Sequence, residues 1–147
     1  MFTKILVPSD GSSLSDKAVD AAADFARDCG ARVVGLCVAQ PYPYSPMTES
    51  AFADERIEYE KRARELAEQY AGRIALAAQA RQIPCETVVT QSFAPWDEII
   101  KTAESHGCDL IFMASHGRKG LDRLFLGSET QKVLANSKIP VLVYRRQ

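Results

Sequence analysis

Two hydrophobic periods succeed one another along the chain, short β-branched runs and longer stretches at helical spacing. Lys4-Ile5-Leu6-Val7-Pro8 is an apolar run halted by proline and by the turn cluster Ser9-Asp10-Gly11-Ser12, which predicts a strand followed by a loop. From Ser13 the positions Leu14, Ala18, Ala21, Ala22, Phe25, Ala26 and Cys29 recur on one helical face, and Gly30 follows as a stop signal. Residues 33–38 are almost wholly apolar, as expected of a parallel strand covered on both faces. Three prolines, Pro41, Pro43 and Pro46, then rule out a regular element and predict a surface loop. A long helix is expected over 49–81, with Ile57, Ala63, Leu66, Tyr70, Ile74 and Ala77 as its apolar stripe and Gly72 as a place where it can break. Residues 86–90 predict a third strand by β-branched content, and Pro95-Trp96-Asp97-Glu98 opens a third helix that turns Trp96, Ile99, Ile100 and Ala103 inward. Residues 109–114 predict a fourth strand, 128–136 a fourth helix and 139–144 a fifth strand.

The resulting order, βαβαβαβαβ, separates every strand from the next by a helix. Such alternation predicts an α/β fold, an open parallel five-stranded sheet with helices on both faces, formed as one domain over 1–147. Composition agrees: 46% of the 147 residues are hydrophobic and 25% charged, the balance of a globular protein. Eighteen Lys and Arg face 19 Asp and Glu, so a net charge of −1 leaves no broad basic field and argues against a nucleic-acid partner. The apolar run Leu110–Ala114 is too short to span a bilayer, and Met1-Phe2-Thr3-Lys4 does not open a secretion signal, so a cytoplasmic location without membrane contact is expected. Cys29, Cys37, Cys85 and Cys108 form no C-x-x-C pair and read as small hydrophobes at element ends.

Candidate chemistry is concentrated in two loops, each between a strand and a helix. In Ala114-Ser115-His116-Gly117-Arg118-Lys119-Gly120, Gly117 and Gly120 permit positive φ and close backbone approach, and Arg118, Lys119 and Arg123 supply cations. Gly127-Ser128 stands at the cap of the fourth helix, with Gln131 three residues beyond Ser128 as in a capping box; the free N–H groups and positive dipole end there suit a phosphate. Gly-Ser caps and loop glycines also occur without any ligand, and neither G-x-x-x-x-G-K-[ST] nor G-x-G-x-x-G is present. In the first loop Asp10 has two readings, accepting from ribose hydroxyls or facing a metal, and closing an Asx turn at the start of the first helix. In doubly wound sheets a ligand lies at the carboxyl ends of strands where the strand order reverses, and the two loops meet there if the fourth strand lies beside the first. His106 reads as a solvated helix-end residue, and His116 has no nucleophile beside it that would make it a catalytic base. Tyr42 and Tyr44 either cover a pocket or pack on the following helix.

With these residues in view, the whole chain resembles the nucleotide-binding branch of the universal stress protein family, which carries G-x₂-G-x₉-G-[ST]. Gly117, nine intervening residues and Gly127-Ser128 fit the second half of that pattern, while Ala114 stands where its first glycine belongs, a change expected to narrow the site rather than remove it. The resemblance implies an adenine-nucleotide alpha-hydrolase-like fold with strand order 3-2-1-4-5. It implies ATP, with Mg or Mn, as the ligand, with Pro8 among the binding residues, adenine near Asp10 and Val38, and ribose and phosphates along Met113, Ala114, His116 and Gly117 and along Gly127, Ser128 and Glu129. It also implies a homodimer through the last strand, Ile139 to Tyr144. The function expected is a nucleotide-responsive regulator in stress response without a catalytic residue. Slow ATP hydrolysis or adenylyl transfer, and a nucleotide-free interaction module, are the alternatives.

Overall fold

The computed structural model describes residues 1–43, 53–117 and 126–145. Its elements run β1 (Lys4–Pro8), α1 (Ser13–Cys29), β2 (Arg32–Ala39), α2 (Ala53–Ala80), β3 (Cys85–Gln91), α3 (Pro95–Ser105), β4 (Leu110–Ala114), α4 (Ser128–Asn136) and β5 (Val141–Tyr144). The strands form one parallel sheet in the order β3-β2-β1-β4-β5, as expected. The fifth strand starts two residues later than its apolar run because Pro140 cannot donate to a ladder.

Alternation along the strands divides the core into two layers. Ile5, Val7, Val33, Cys37, Leu110 and Phe112 face α1 and α2, while Leu6, Val34, Leu36, Ile111 and Met113 face α3 and α4. All five residues of β4 are buried, which explains the unbroken apolar run that marked it in the sequence.

The long helix buries a different stripe from the one its large apolar residues predict. Ala67, Ala71, Ile74 and Ala78 face the sheet, with Ala63, Tyr70 and Ala77 at the margin, whereas Ile57 is 66% exposed and Leu66 39%. Small residues win because they let the helix axis approach the strands. The closest approach is at Gly35 of β2, where a Cβ would stand 2.7 Å from Cγ2 of Ile74. The helix runs through Gly72 without a break. Of the four cysteines, Cys37 and Cys108 are buried as expected, whereas Cys29 and Cys85 are half-buried; none forms a disulfide. His106 is the C-cap of α3, its Nδ1 3.0 Å from the carbonyl of Thr102.

Candidate functional site

The carboxyl ends of β1 and β4 lie side by side where the strand order reverses, between neighbours whose connecting helices leave to opposite faces. The β1–β2 register pairs Pro8 with Leu36, and two more steps bring Val38 level with Asp10. On the other side Leu6 pairs with Ile111, so Pro8 and Met113 are level as well. The described site residues expected from the sequence therefore converge on one end of the sheet.

The loop of residues 9–12 between β1 and α1, loop one, is built by short polar contacts. Ser9 N–H extends the ladder to the Leu36 carbonyl at 2.9 Å, and Ser9 Oγ accepts from Gly11 N–H at 3.1 Å. Asp10 Oδ1 accepts from Ser12 N–H at 3.0 Å and from the Ser15 hydroxyl at 2.8 Å, while Ser12 caps α1 by accepting from Ser15 N–H. The Asx-turn reading of Asp10 is thus realised, and it fixes the direction of the carboxylate. The other oxygen, Oδ2, points at Gly117 just beyond β4: a Cβ there would fall on it.

Gly127, just before α4, lies against the end of β4. Its N–H donates to the Ser115 carbonyl at 2.8 Å, and Thr130 Oγ1 donates to the carbonyls of Ala114 and Ser115 at 3.0 and 3.2 Å. A Cβ on Gly127 would meet the Ser115 carbonyl oxygen at 3.1 Å and His116 Cα at 3.3 Å. Both glycines are needed for close approach. Neither Gly117 nor Gly127 has the positive φ that their residue type allows, Gly127 standing at φ −62°. The expected capping box is also absent. Gly127, not Ser128, is the N-cap, and Gln131 donates its side-chain amide to the Leu126 carbonyl at 2.6 Å. A glycine cap has no side chain to offer, so the N–H groups of Ser128, Glu129 and Thr130 precede the first helical bond, Gln131 N–H to the Gly127 carbonyl, without a side-chain cap.

Met113 is buried against α3 and α4, and Ala114, 7% exposed, lies on the same strand face as Phe112. Both offer the site main chain rather than side chain. His116 is half-buried, its Nδ1 3.0 Å from Ser115 Oγ, and Ser128 is exposed at the first position of α4. The Glu129 carboxylate reaches α3 and accepts from Trp96 N–H at 2.8 Å. Tyr42 packs edge-on against Tyr59 of α2 with ring centroids 5.4 Å apart. Arg118, Lys119, Gly120, Arg123 and Tyr44 lie outside the described residues. Among the described residues no three His, Cys, Asp or Glu side chains gather as a metal site.

Thr130 and Arg73 were not singled out in the sequence, and Tyr70 was read only as part of an apolar stripe. Thr130 stitches α4 to the end of β4, and its only signal is a hydroxyl one turn into a helix. Tyr70 and Arg73 of α2 pack under loop one, where Arg73 Nη1 donates to Asp16 Oδ2 at 3.0 Å and lies 3.5 Å from the Gly11 carbonyl.

The model of the universal stress protein family matches residues 1–145. The chain belongs to the universal stress protein family. Universal stress protein YxiE of Bacillus subtilis is 32% identical over 153 residues, covering 99% of this chain and all of its own. The structure of MJ0577, a universal stress protein of Methanocaldococcus jannaschii, superposes with a TM-score of 0.83 at 28% identity, covering all of this chain and 98% of that one. A universal stress protein from Archaeoglobus fulgidus in complex with dAMP shares the fold at a TM-score of 0.62 and 20% identity, covering 96% of each chain. No helix among the described residues is long and apolar enough to cross a membrane.

Proposed function

We propose that this universal stress protein binds an adenine nucleotide, ATP, at the switch point between β1 and β4 and acts as a cytoplasmic, nucleotide-responsive regulator in stress response. The observation that carries the reading is the pair Gly117 and Gly127. Each stands where a side chain would fill the space, one against Asp10 and one against Ser115 and His116, beside a helix start that has no side-chain cap. Such a cradle suits a phosphate, whose charge the N–H groups of Ser128 and Glu129 and the dipole of α4 would stabilise. Asp10 and the main chain near Pro8 and Val38 would receive ribose and adenine, and Met113, Ala114 and His116 would line the path between. A protein of this fold holds dAMP, which supports the capacity of the architecture for an adenine nucleotide. Mg or Mn would enter on the phosphates, since Asp10 alone is not a metal site.

The reading takes 1–147 as one universal stress protein domain and the protein as a homodimer joined along β5. It is a reading of binding rather than turnover. Calorimetry with ATP tests it. In a folded Gly127→Val variant the branched side chain would stand where phosphate needs the backbone, weakening ATP tenfold or more, about 1.4 kcal/mol. Unchanged affinity would remove the site from this place. Incubation with ATP and Mg or Mn tests the second part; turnover in the ordinary enzyme range of roughly 1–10³ s⁻¹ would overturn it.

A further inference from the structure

Helix α3 begins without a cap of its own. Its N-cap is Ala94, its first residue is Pro95, which has no N–H, and Asp97 and Glu98 N–H groups both turn back to the Ala94 carbonyl at 3.1 and 3.3 Å. The remaining first-turn donor, Trp96 N–H, is satisfied from another helix, by Glu129 Oε2 at 2.8 Å. Glu129 is the second residue of α4, where a carboxylate ordinarily serves its own helix dipole. Here it is drawn sideways onto α3, and the start of α4 keeps its own N–H groups.

The two helices are unequally held. Helix α3 buries Ile99, Ile100, Thr102 and Ala103, whereas the nine residues of α4 bury only Thr130 and Val133. The direction of the α4 N-terminus therefore depends on a few polar ties: Gly127 N–H and Thr130 Oγ1 to the end of β4, and Glu129 to α3.

We propose that Glu129 is a positioning residue, a cap supplied by α4 to α3 that fixes the angle at which α4 presents its N-terminal N–H groups to the phosphates. The inference rests on the nucleotide reading above, and it separates the phosphate end of the ligand from the adenosine end. Glu129→Ala removes the tie, and Glu129→Gln keeps an oxygen that accepts from Trp96 N–H while removing the charge. By calorimetry Glu129→Ala should weaken ATP about fivefold or more and leave adenosine unchanged, and Glu129→Gln should keep ATP within about twofold of the parent. In amide-resolved NMR of the ligand-free protein, the Trp96 N–H resonance should move in the alanine variant and stay close to its place in the glutamine variant.

Equal weakening of ATP and adenosine would mean a general loss of structure and would overturn the positioning role. So would equal effects of the two substitutions, which would mark charge rather than the bond, and so would an unmoved Trp96 resonance. A parent protein that binds neither ligand would overturn the nucleotide reading itself, an outcome distinct from a parent that binds ATP and an alanine variant that binds it equally well.

Discussion

The ring of Tyr70 fills the space into which a side chain at residue 11 would project. Gly11 has φ +78°, Tyr70 comes from the middle of α2, and the Arg73 guanidinium lies 4.9 Å from the ring centroid while bonding Asp16. The turn that carries Asp10 is therefore backed by a side chain from the middle of α2. Gly11→Ala should suffer twice, from a left-handed backbone with a Cβ and from collision with the ring, at a cost of about 2–4 kcal/mol. Urea unfolding would measure it. Substituting Tyr70→Ala in the same chain should recover the collision part alone, and a Gly11→Ala protein as stable as the parent would show that the turn is not held by Tyr70.

Gly35 and Ile74 form the equivalent contact in the core. A methyl at residue 35 would sit 2.7 Å from Ile74 Cγ2, with no room in a strand covered on both faces. Gly35→Ala should destabilise by about 1–3 kcal/mol, and Ile74→Ala in that background should cost less than it does alone, a non-additivity that a double-mutant cycle reads directly. Additive losses would mean that the helix shifts to accommodate the methyl.

The alternation was legible because short β-branched runs separate stretches at helical spacing, whereas the strand order came from the family resemblance and not from any run in the sequence. The stripe of α2 was not legible. Periodicity selects large apolar side chains, whereas packing against the sheet selected Ala67, Ala71 and Ala78 and left Ile57 in water. The candidate site was legible as two loops only in the sense that its glycines and Asp10 stand at strand ends. Its internal bonding was hidden for a physical reason: the partners of Glu129 and Thr130 are main-chain groups, and a main-chain N–H or carbonyl leaves no mark in the sequence.

Asp109 ties β4 to β1 at the end of the sheet away from the candidate site. Its oxygens accept from Thr3 N–H at 2.9 Å, Thr3 Oγ1 at 2.9 Å and Lys4 N–H at 3.0 Å. Burial alone would raise this carboxyl, but the Lys4 and Thr3 donors outweigh it and hold it below the ordinary carboxylate range. A depressed folded-state value contributes stability that is complete above the unfolded value of 3.8 and is lost as pH falls through the folded one. Unfolding followed from pH 7 down to about 2 should therefore show a loss of stability below about pH 4 that Asp109→Asn reduces. An acid limb identical in the two proteins would remove Asp109 as a contributor.

The thiols should react in an order set by exposure. Burial pushes Cys108 up to about 11 and raises Cys85 as well. Cys37 is enclosed in the core, so at pH 8 a small alkylating reagent should label Cys29 first in the folded protein and leave Cys37 and Cys108 unmodified until it unfolds. Peptide mapping after timed quenching gives the order, and early labelling of Cys108 would contradict its burial.

The proposed dimer makes its sharpest demand on Val143. Strand β5 is the last in the sheet, paired to β4 on one side, with Ile111 opposite Val141 and Met113 opposite Val143. Leu142 and Tyr144 pack against the core under α1 and α2, and Val141 packs against the core under α3 and α4, but Val143 is half-buried and belongs to neither. A two-fold axis along this edge would pair the strand with its own copy and cover Val143 from both chains. Val143→Asp would then set two like charges near one another in the seam, whereas in a monomer it changes a side chain that no core needs. Light scattering at micromolar concentration should give a dimer for the parent and a folded monomer for Val143→Asp. Val141→Asp is the wrong probe, since it would put a carboxylate against the core and confuse unfolding with dissociation. A monomeric parent, or a folded Val143→Asp protein that remains dimeric, would place the interface elsewhere.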